Sequence, residues 1–176
     1  MLFDPIEAQL PSEYRAKLAL DTWERRDAAA LRRAVFCLEQ GLFGSDDRDE
    51  IDAIAATLVA VSCVAGVPDQ VVGTVRIHEP CPHRWLGSRL AVHPAFRRVH
   101  RIGASLIRLA VCTAHARGGR SFRAHVQSQN APMFERLHWR TLEEVVLHGR
   151  AHHFMEADLA HYPPFHDAQT GFMLAP

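Results

Sequence analysis

Net charge is the first thing this sequence lacks. Its 20 Lys and Arg are balanced by 20 Asp and Glu, so no single-sign surface is available to hold DNA, RNA or an anionic lipid layer. Cys37, Cys63, Cys81 and Cys112 stand far apart with no C-x-x-C pair, which argues against a zinc knuckle and a disulfide framework and fits a reducing cytoplasm. No apolar stretch approaches the roughly 18 residues of a membrane span. The amino terminus has acidic Asp4 and Glu7 and no basic n-region, so neither a span nor a signal peptide is expected. Lysine is nearly absent, Lys17 being the only one, and the other basic side chains apart from histidine are arginine. Repeats and low-complexity tracts are missing as well. What is present is 176 residues with 48% hydrophobic side chains, enough to bury a core without staples. One domain over 1–176 is expected, with a core about 14–159 and an extended C-terminal tail over 160–176.

Punctuation along the chain predicts alternating strands and helices. Tyr14 to Leu20 is a short strand. Ala28 to Gln40 is a helix with Leu31, Ala34, Val35 and Leu38 on one face, closed near Gly41. Ser45 to Asp52 is an acidic loop. Ala55 to Ala65 and Gln70 to His78 are strands joined by a hairpin turn over Gly66-Val67-Pro68-Asp69. Trp85 to Val92 is a strand, Arg101 to Arg117 the longest helix, and Gly118-Gly119 its stop. Phe122 to Gln127 is a strand, Asn130 to His138 a short helix with Pro132 in its first turn, and a last hairpin turns at Gly149. This order implies an α/β sandwich with a mixed sheet.

The most informative segment is Leu90-Ala91-Val92-His93-Pro94-Ala95-Phe96-Arg97-Arg98-Val99-His100-Arg101-Ile102-Gly103-Ala104. It runs from an apolar strand end through a basic loop into a helix, which is how backbone N–H groups and a helix dipole are arranged to hold a pyrophosphate. Here the sequence resembles the GNAT superfamily of acetyl-CoA-dependent N-acetyltransferases, whose mark is a strand ending V-x-P followed by R/Q-x-x-G-x-G/A. Arg98 takes the R/Q position and Gly103 the last small position. Arg101 stands where the family usually has its first glycine, and the loop is one residue longer than the commonest spacing. An arginine there restricts close backbone approach and adds a donor fork for phosphate. An ordinary strand-to-helix connection with surface arginines is the plain alternative.

Two further segments carry the resemblance over roughly Tyr14 to Leu159. Asn130-Ala131-Pro132-Met133-Phe134-Glu135-Arg136-Leu137-His138-Trp139 is similar to the family's N-x(n)-A-x-x-F-Y-x-x-x-G-F motif. The resemblance makes Asn130 a pantetheine contact or a helix cap, and places Phe134 where a tyrosine often protonates the departing thiolate; core packing is the competing role for Phe134 and Trp139. Val35-Phe36-Cys37-Leu38-Glu39-Gln40 with Val72-Gly73-Thr74-Val75-Arg76-Ile77 resembles a branch that includes acyl-homoserine-lactone synthases. More narrowly, the stretches from Ala124 to Asn130 and from His148 to Leu159 look like a bacterial group linked to nitrogen starvation. Members of that group can be fused to a domain resembling aminoimidazole-ribonucleotide synthase; none is expected in 176 residues, but association with such a protein, or a homodimer, is compatible with the likeness. The resemblance implies a mainly antiparallel mixed sheet flanked by helices on both faces. It implies acetyl-CoA as cosubstrate, held by Leu90 to Val92, by the loop from Arg97 through Ala104, and by Asn130 and Phe134, and a small amine as acceptor.

Acetyl transfer needs a neutral amine, a stabilised oxyanion and a departing thiolate. Strand parity puts Arg123, His125 and Gln127 on one face of their strand. His125, with an ordinary pKa of about 6.5, is the candidate base or proton shuttle and Gln127 a candidate to orient substrate. Ser88 is a candidate relay on the neighbouring strand, and Glu39 a candidate wall of the acceptor pocket. The resemblance places a backbone N–H for the oxyanion near Val92. A buried histidine satisfied by a carbonyl is the alternative for His125. His152 and His153 are adjacent on a strand and face opposite ways, and the acidic run lacks the pattern of a calcium loop, so no metal is expected. A GNAT-shaped module that binds acyl-CoA without turnover stays open beside the enzyme.

Overall fold

The computed structural model describes residues 13–99 and 101–174. The elements run β1 (Glu13–Leu18), α1 (Thr22–Arg32), a π-helical continuation (Arg33–Glu39), β2 (Ala56–Val64), β3 (Val67–Cys81), β4 (Arg84–Val92), α2 (Ile102–Ala116), β5 (Ser121–Gln127), α3 (Ala131–Arg136), β6 (Trp139–Leu147), β7 (Arg150–Ala157) and β8 (Phe172–Met173). They form an eight-stranded sheet in the order β6-β7-β5-β4-β3-β2-β1-β8. Every pairing is antiparallel except β4 with β5. This is the mixed, mainly antiparallel GNAT-like sheet expected, with helices on both faces.

Alternation along β2 feeds two cores. Leu58 and Ala60 pack with Val72, Ile102, Leu106 and Leu109 on the α2 face. Val59 and Val61 pack with Ala28, Leu31, Val35 and Phe36 on the α1 face. Gly73 is small for a reason: a Cβ there would lie 2.8 Å from Leu106 Cδ1 and 2.9 Å from Ile102 Cγ2, so glycine lets α2 lie close on the sheet.

Several boundaries differ from the sequence reading, each with a local cause. Helix α1 starts at Thr22 rather than Ala28. Glu24 folds back to accept the N–H groups of Leu20 and Asp21 at 2.8 and 3.1 Å and pairs with Lys17 at 2.6 Å, so a polar cap rather than an apolar stripe sets its origin. The β2–β3 turn is tighter than predicted: Ala65 and Gly66 both take positive φ, and Val67 to Asp69 already belong to β3. His148 and Gly149 make the same kind of two-residue turn between β6 and β7. The segment after β7, read as an extended tail, packs on the sheet. Tyr162, Ala168 and Leu174 are buried, and β8 pairs with β1 through Arg15–Met173 and Ala16–Phe172.

Candidate active site

The one parallel strand pair is also where the sheet opens. Strands β4 and β5 are in register only from Arg84–Ser121 to Gly87–Ala124. At the last paired position a Cβ on Gly87 would lie 2.9 Å from the Phe122 ring, so the strands stay together that far because residue 87 is glycine. Beyond it β4 carries an extra residue against β3, between the pairs Arg76–Ser88 and Thr74–Ala91, with Arg89 in the left-handed region at φ 56°. Strand β5 meanwhile stays with β7, pairing His125 with Phe154 and Gln127 with His152. Backbone groups of β4 from Ser88 to Val92 therefore have no strand partner on the β5 side, and a cavity of about 250 Å³ occupies the gap.

On the α1 side the cavity wall is aromatic and imidazole-rich. The π-helical turn, closed by Gln40 N–H to the Val35 carbonyl, ends at the gap and contributes Phe36 and Gln40. Leu42, Phe43, Leu147, His148 and His152 complete this half. His125 stands at the wall with Phe154 stacked on it, ring centroids 4.6 Å apart. Loss of solvent, and then the neighbouring His152, hold its pKa below the ordinary imidazole value, with Glu143 opposing. Gln127 donates to the Gln40 side chain at 2.9 Å and accepts from Gln129 at 2.6 Å, so a chain of glutamines spans the mouth. Ser88 lines the cavity and its hydroxyl accepts from Arg76 Nε at 2.8 Å.

That arginine opens onto a feature the sequence reading missed. The acidic loop is folded against three arginines. Arg32 pairs with Asp47 at 2.7 Å and Asp52 at 2.5 Å, Arg76 with Asp49 at 2.6 Å and Asp52 at 2.9 Å, and Arg89 with Asp47 at 3.1 Å and Asp49 at 3.2 Å. The Arg76 side chain is 2% exposed and that of Asp47 1%. Hydrogen bonds from Arg76 hold the Asp49 carboxyl below its usual range. Asp52 is pulled down further: burial pushes it up, and the bonds from Arg32, the Asp49 backbone and Arg76 outweigh that. Arg89 also lies 4.4 Å over the Phe43 ring. The signal was available in part, since five acidic residues in eight need counter-charges if any of them is buried; which arginines supply them is a matter of sheet topology.

A groove of about 690 Å³ runs from the cavity to the amino end of α2. Gln40, Leu90 and Asn130 line both spaces and so mark the junction. Of the residues predicted for the cofactor, Val92, Arg97, Arg101, Ile102, Gly103 and Ala104 also line this groove. Arg101 adopts φ 52°, and His138, just before β6, adopts φ 66°. Both residues therefore take the left-handed backbone for which glycine is normally used, at a cost of about 1–2 kcal/mol each. Asn130 precedes α3 without a side-chain capping bond, and its side chain is left to the junction. Arg97 donates to the Val92 carbonyl at 3.1 Å and pairs with Glu39 at 2.8 Å, so Glu39 faces the groove rather than the cavity.

Other predicted residues lie elsewhere. Ala91 is buried under α1 with Val35 and Val59. Val99 packs against the main core. His100 falls outside the described residues. Arg98 lines an adjoining space of about 580 Å³ together with Arg101, Arg108, Arg136, His138 and His161. Among the described residues none of these four arginines is ion-paired, unlike those of the acidic loop. Phe134 packs edge-on against Trp139, centroids 5.0 Å apart, and forms part of the cavity's inner wall. Tyr162 donates to the Leu137 carbonyl and accepts from Trp139, away from the cavity. Among the described residues no group of three or more His, Cys, Asp or Glu is placed to hold a metal ion, and no helix is long and apolar enough to cross a membrane.

A mixed sheet that opens between its parallel strands, with a helix amino terminus at the mouth of the gap, is the architecture the sequence motifs implied for an acyl-CoA-dependent transferase. The profile described as Acetyltransferase (GNAT) family matches residues 20–139, and the chain belongs to that family. A Lactobacillus plantarum protein assigned as an N-acetyltransferase superposes with TM-score 0.72 at 23% identity, over 82% of this chain and 97% of that one. Escherichia coli ElaA superposes with TM-score 0.67 at 18% identity, over 83% and 99%. The NatC complex bound to Gag peptide and CoA contains a chain that superposes with TM-score 0.62 at 15% identity, over 84% and 99%. At these identities the likeness establishes the fold. No curated protein sequence matches the chain.

Proposed function

We propose that this protein transfers the acetyl group of acetyl-CoA to the nitrogen of a small amine, as a single domain working in the cytoplasm. The observation that carries the reading is the junction at Gln40, Leu90 and Asn130, where a long groove from a helix amino terminus meets a cavity in a split sheet. A linear thioester fits the groove and an acceptor fits the cavity. The unpaired Arg98, Arg101, Arg108 and Arg136 suit the phosphates, with the first N–H groups of α2 toward the pyrophosphate.

In the transfer the amine nitrogen attacks the thioester carbonyl, giving a tetrahedral adduct with an oxyanion and a positively charged nitrogen. Unpartnered N–H groups of β4 between Ser88 and Val92 stabilise the oxyanion. His125, neutral near pH 7, accepts the proton from nitrogen, directly or through a water held with Ser88 and Gln127. The C–S bond then breaks and CoA leaves as a thiolate that takes its proton from solvent. A thiol of pKa about 8.5 leaves without a dedicated acid, which is consistent with Phe134 in the tyrosine position.

Release of CoA thiol from acetyl-CoA in the presence of an amine panel tests the reading. His125→Gln is expected to lower turnover by about 10² to 10⁴ with CoA affinity retained. Turnover near wild type would remove His125 from the mechanism. The second reading, an acyl-CoA binder without turnover, draws on Phe134 and on Tyr162 being held away from the cavity; it predicts CoA binding by calorimetry with no thiol release from any amine.

A further inference from the structure

Charge is distributed unevenly around the acceptor half of the cavity. Phe36, Leu42, Phe43 and Leu147 supply its apolar surface, and His125, His148, His152 and Arg89 its ionisable groups. Among the described residues no Asp or Glu lines it. Carboxylates on the elements around it are committed elsewhere: Asp47 and Asp49 to the arginines, Glu39 to Arg97 in the groove. Glu143 lies on the far side of Phe154, two strands from His125 in register. Arg89 is paired with its aspartates and covered by Phe43, so this cluster offers an incoming cation no free counter-charge.

An alkylammonium ion entering such a wall would lose its water without gaining a counter-charge. With an amine pKa near 10.4, only about one molecule in 10³ is neutral at pH 7. An imidazole of lowered pKa is a weak base for the remainder, though it is well suited to the far more acidic nitrogen of a tetrahedral adduct. A ring-conjugated nitrogen avoids the difficulty, because its lone pair is delocalised and it arrives uncharged. Space agrees: a cavity of roughly 150 Å³ accommodates benzene, and this one measures about 250 Å³, leaving room for the acetyl group.

From the aromatic wall, its size and its lack of carboxylates, we propose that the acceptor is an aromatic amine, uncharged at neutral pH. The proposal rests on the acetyl-transfer reading and names its substrate class. The test compares aniline with benzylamine, which share a ring and differ in nitrogen basicity, by thiol release from acetyl-CoA at pH 7, beside calorimetric titration of CoA. Aniline is expected to be the better acceptor by at least tenfold in kcat/KM. Leu147→Glu, which puts a carboxylate into the wall, is expected to narrow or reverse that ratio; if the variant fails to fold by its melting curve, the wild-type ratio decides alone. Equal or better use of benzylamine by the wild type overturns the substrate class and leaves acetyl transfer standing. Thiol release from other amines of the panel but not from aniline overturns the substrate class alone, whereas CoA binding with no thiol release from any amine overturns the acetyl-transfer reading, and this proposal with it.

Discussion

On the α1 side of the sheet Arg32, Arg76 and Arg89 are packed against Asp47, Asp49 and Asp52, while near the amino end of α2 Arg98, Arg101, Arg108 and Arg136 line the space beside the groove and, among the described residues, none of the four is ion-paired. The first group is satisfied internally and the second has no internal counter-charge. Burying an ion pair rarely gains net stability over apolar packing, because desolvation offsets the attraction. The buried group therefore acts chiefly as a register. It fixes the acidic loop against β3 and β4, holds the left-handed Arg89 at the bulge, and reaches Ser88 at the cavity. Beneath α2, by contrast, the core is apolar, with Leu106 and Leu109 fully buried.

The sharpest way to break this contrast is Arg76→Met. Leaving Asp49 with Arg89 alone and Asp52 with Arg32 alone, and removing a guanidinium that is itself buried, should destabilise the protein by about 3 kcal/mol in denaturant unfolding. Leu106→Ala on the other face should cost about 2–5 kcal/mol, a similar size from a different cause, and pH separates them. Because Asp49 and Asp52 have lowered folded pKa values, their contribution is fully present above the unfolded carboxylate value near 3.9 and is lost as pH falls below it. The acid limb should flatten in Arg76→Met and run parallel to wild type in Leu106→Ala.

At the α2 mouth the loss should appear in ligand affinity. Arg98→Ala is expected to weaken CoA binding about ten- to a hundredfold by calorimetry, since a charge-assisted phosphate contact is worth about 1.5–3 kcal/mol, with the melting temperature unchanged. Arg101→Gly sharpens the comparison because its two effects have opposite signs. Relief of the left-handed backbone should stabilise by about 1 kcal/mol, while loss of the guanidinium should lower CoA affinity. A variant both less stable and fully competent for CoA would contradict the assignment of this residue.

The smallest effect concerns His125. Its folded pKa lies below the ordinary 6.5, so the unfolded chain binds its proton first and stability declines as pH falls through 6.5 toward the folded value. His125→Gln should remove that part of the slope, measured as melting temperature between pH 7.5 and 5.

The groove at the amino end of α2 was legible because its signals are local. Val92, Arg97 and the run from Arg101 to Ala104 are consecutive or nearly so, and a strand-loop-helix connection places its own residues without help from the rest of the chain. Local signals were also misread where a polar cap replaced an apolar stripe, at Glu24, or where two residues sufficed for a turn, at Ala65 and Gly66. The cavity in the split sheet was not legible. Its wall joins Phe36, Arg89, His125, Leu147 and His152, which approach only because β7 lies between β5 and β6 and the π-helical turn ends over the gap.

By itself the sequence determined the alternation of strands and helices, the basic loop before α2 and the polar face of β5, because periodicity, capping and turn chemistry act over a few residues. The tertiary structure decided that Arg101 and His138 would keep a glycine-like backbone, that the acidic loop would pair with three arginines from α1, β3 and β4 and bury Asp47 among them, and that among the described residues no carboxylate would line the cavity. Those outcomes depend on strand order and on charges paired across 15 to 42 positions of sequence. Burial and Coulomb energies at such separations are set by the assembled sheet and not by the residues' own preferences.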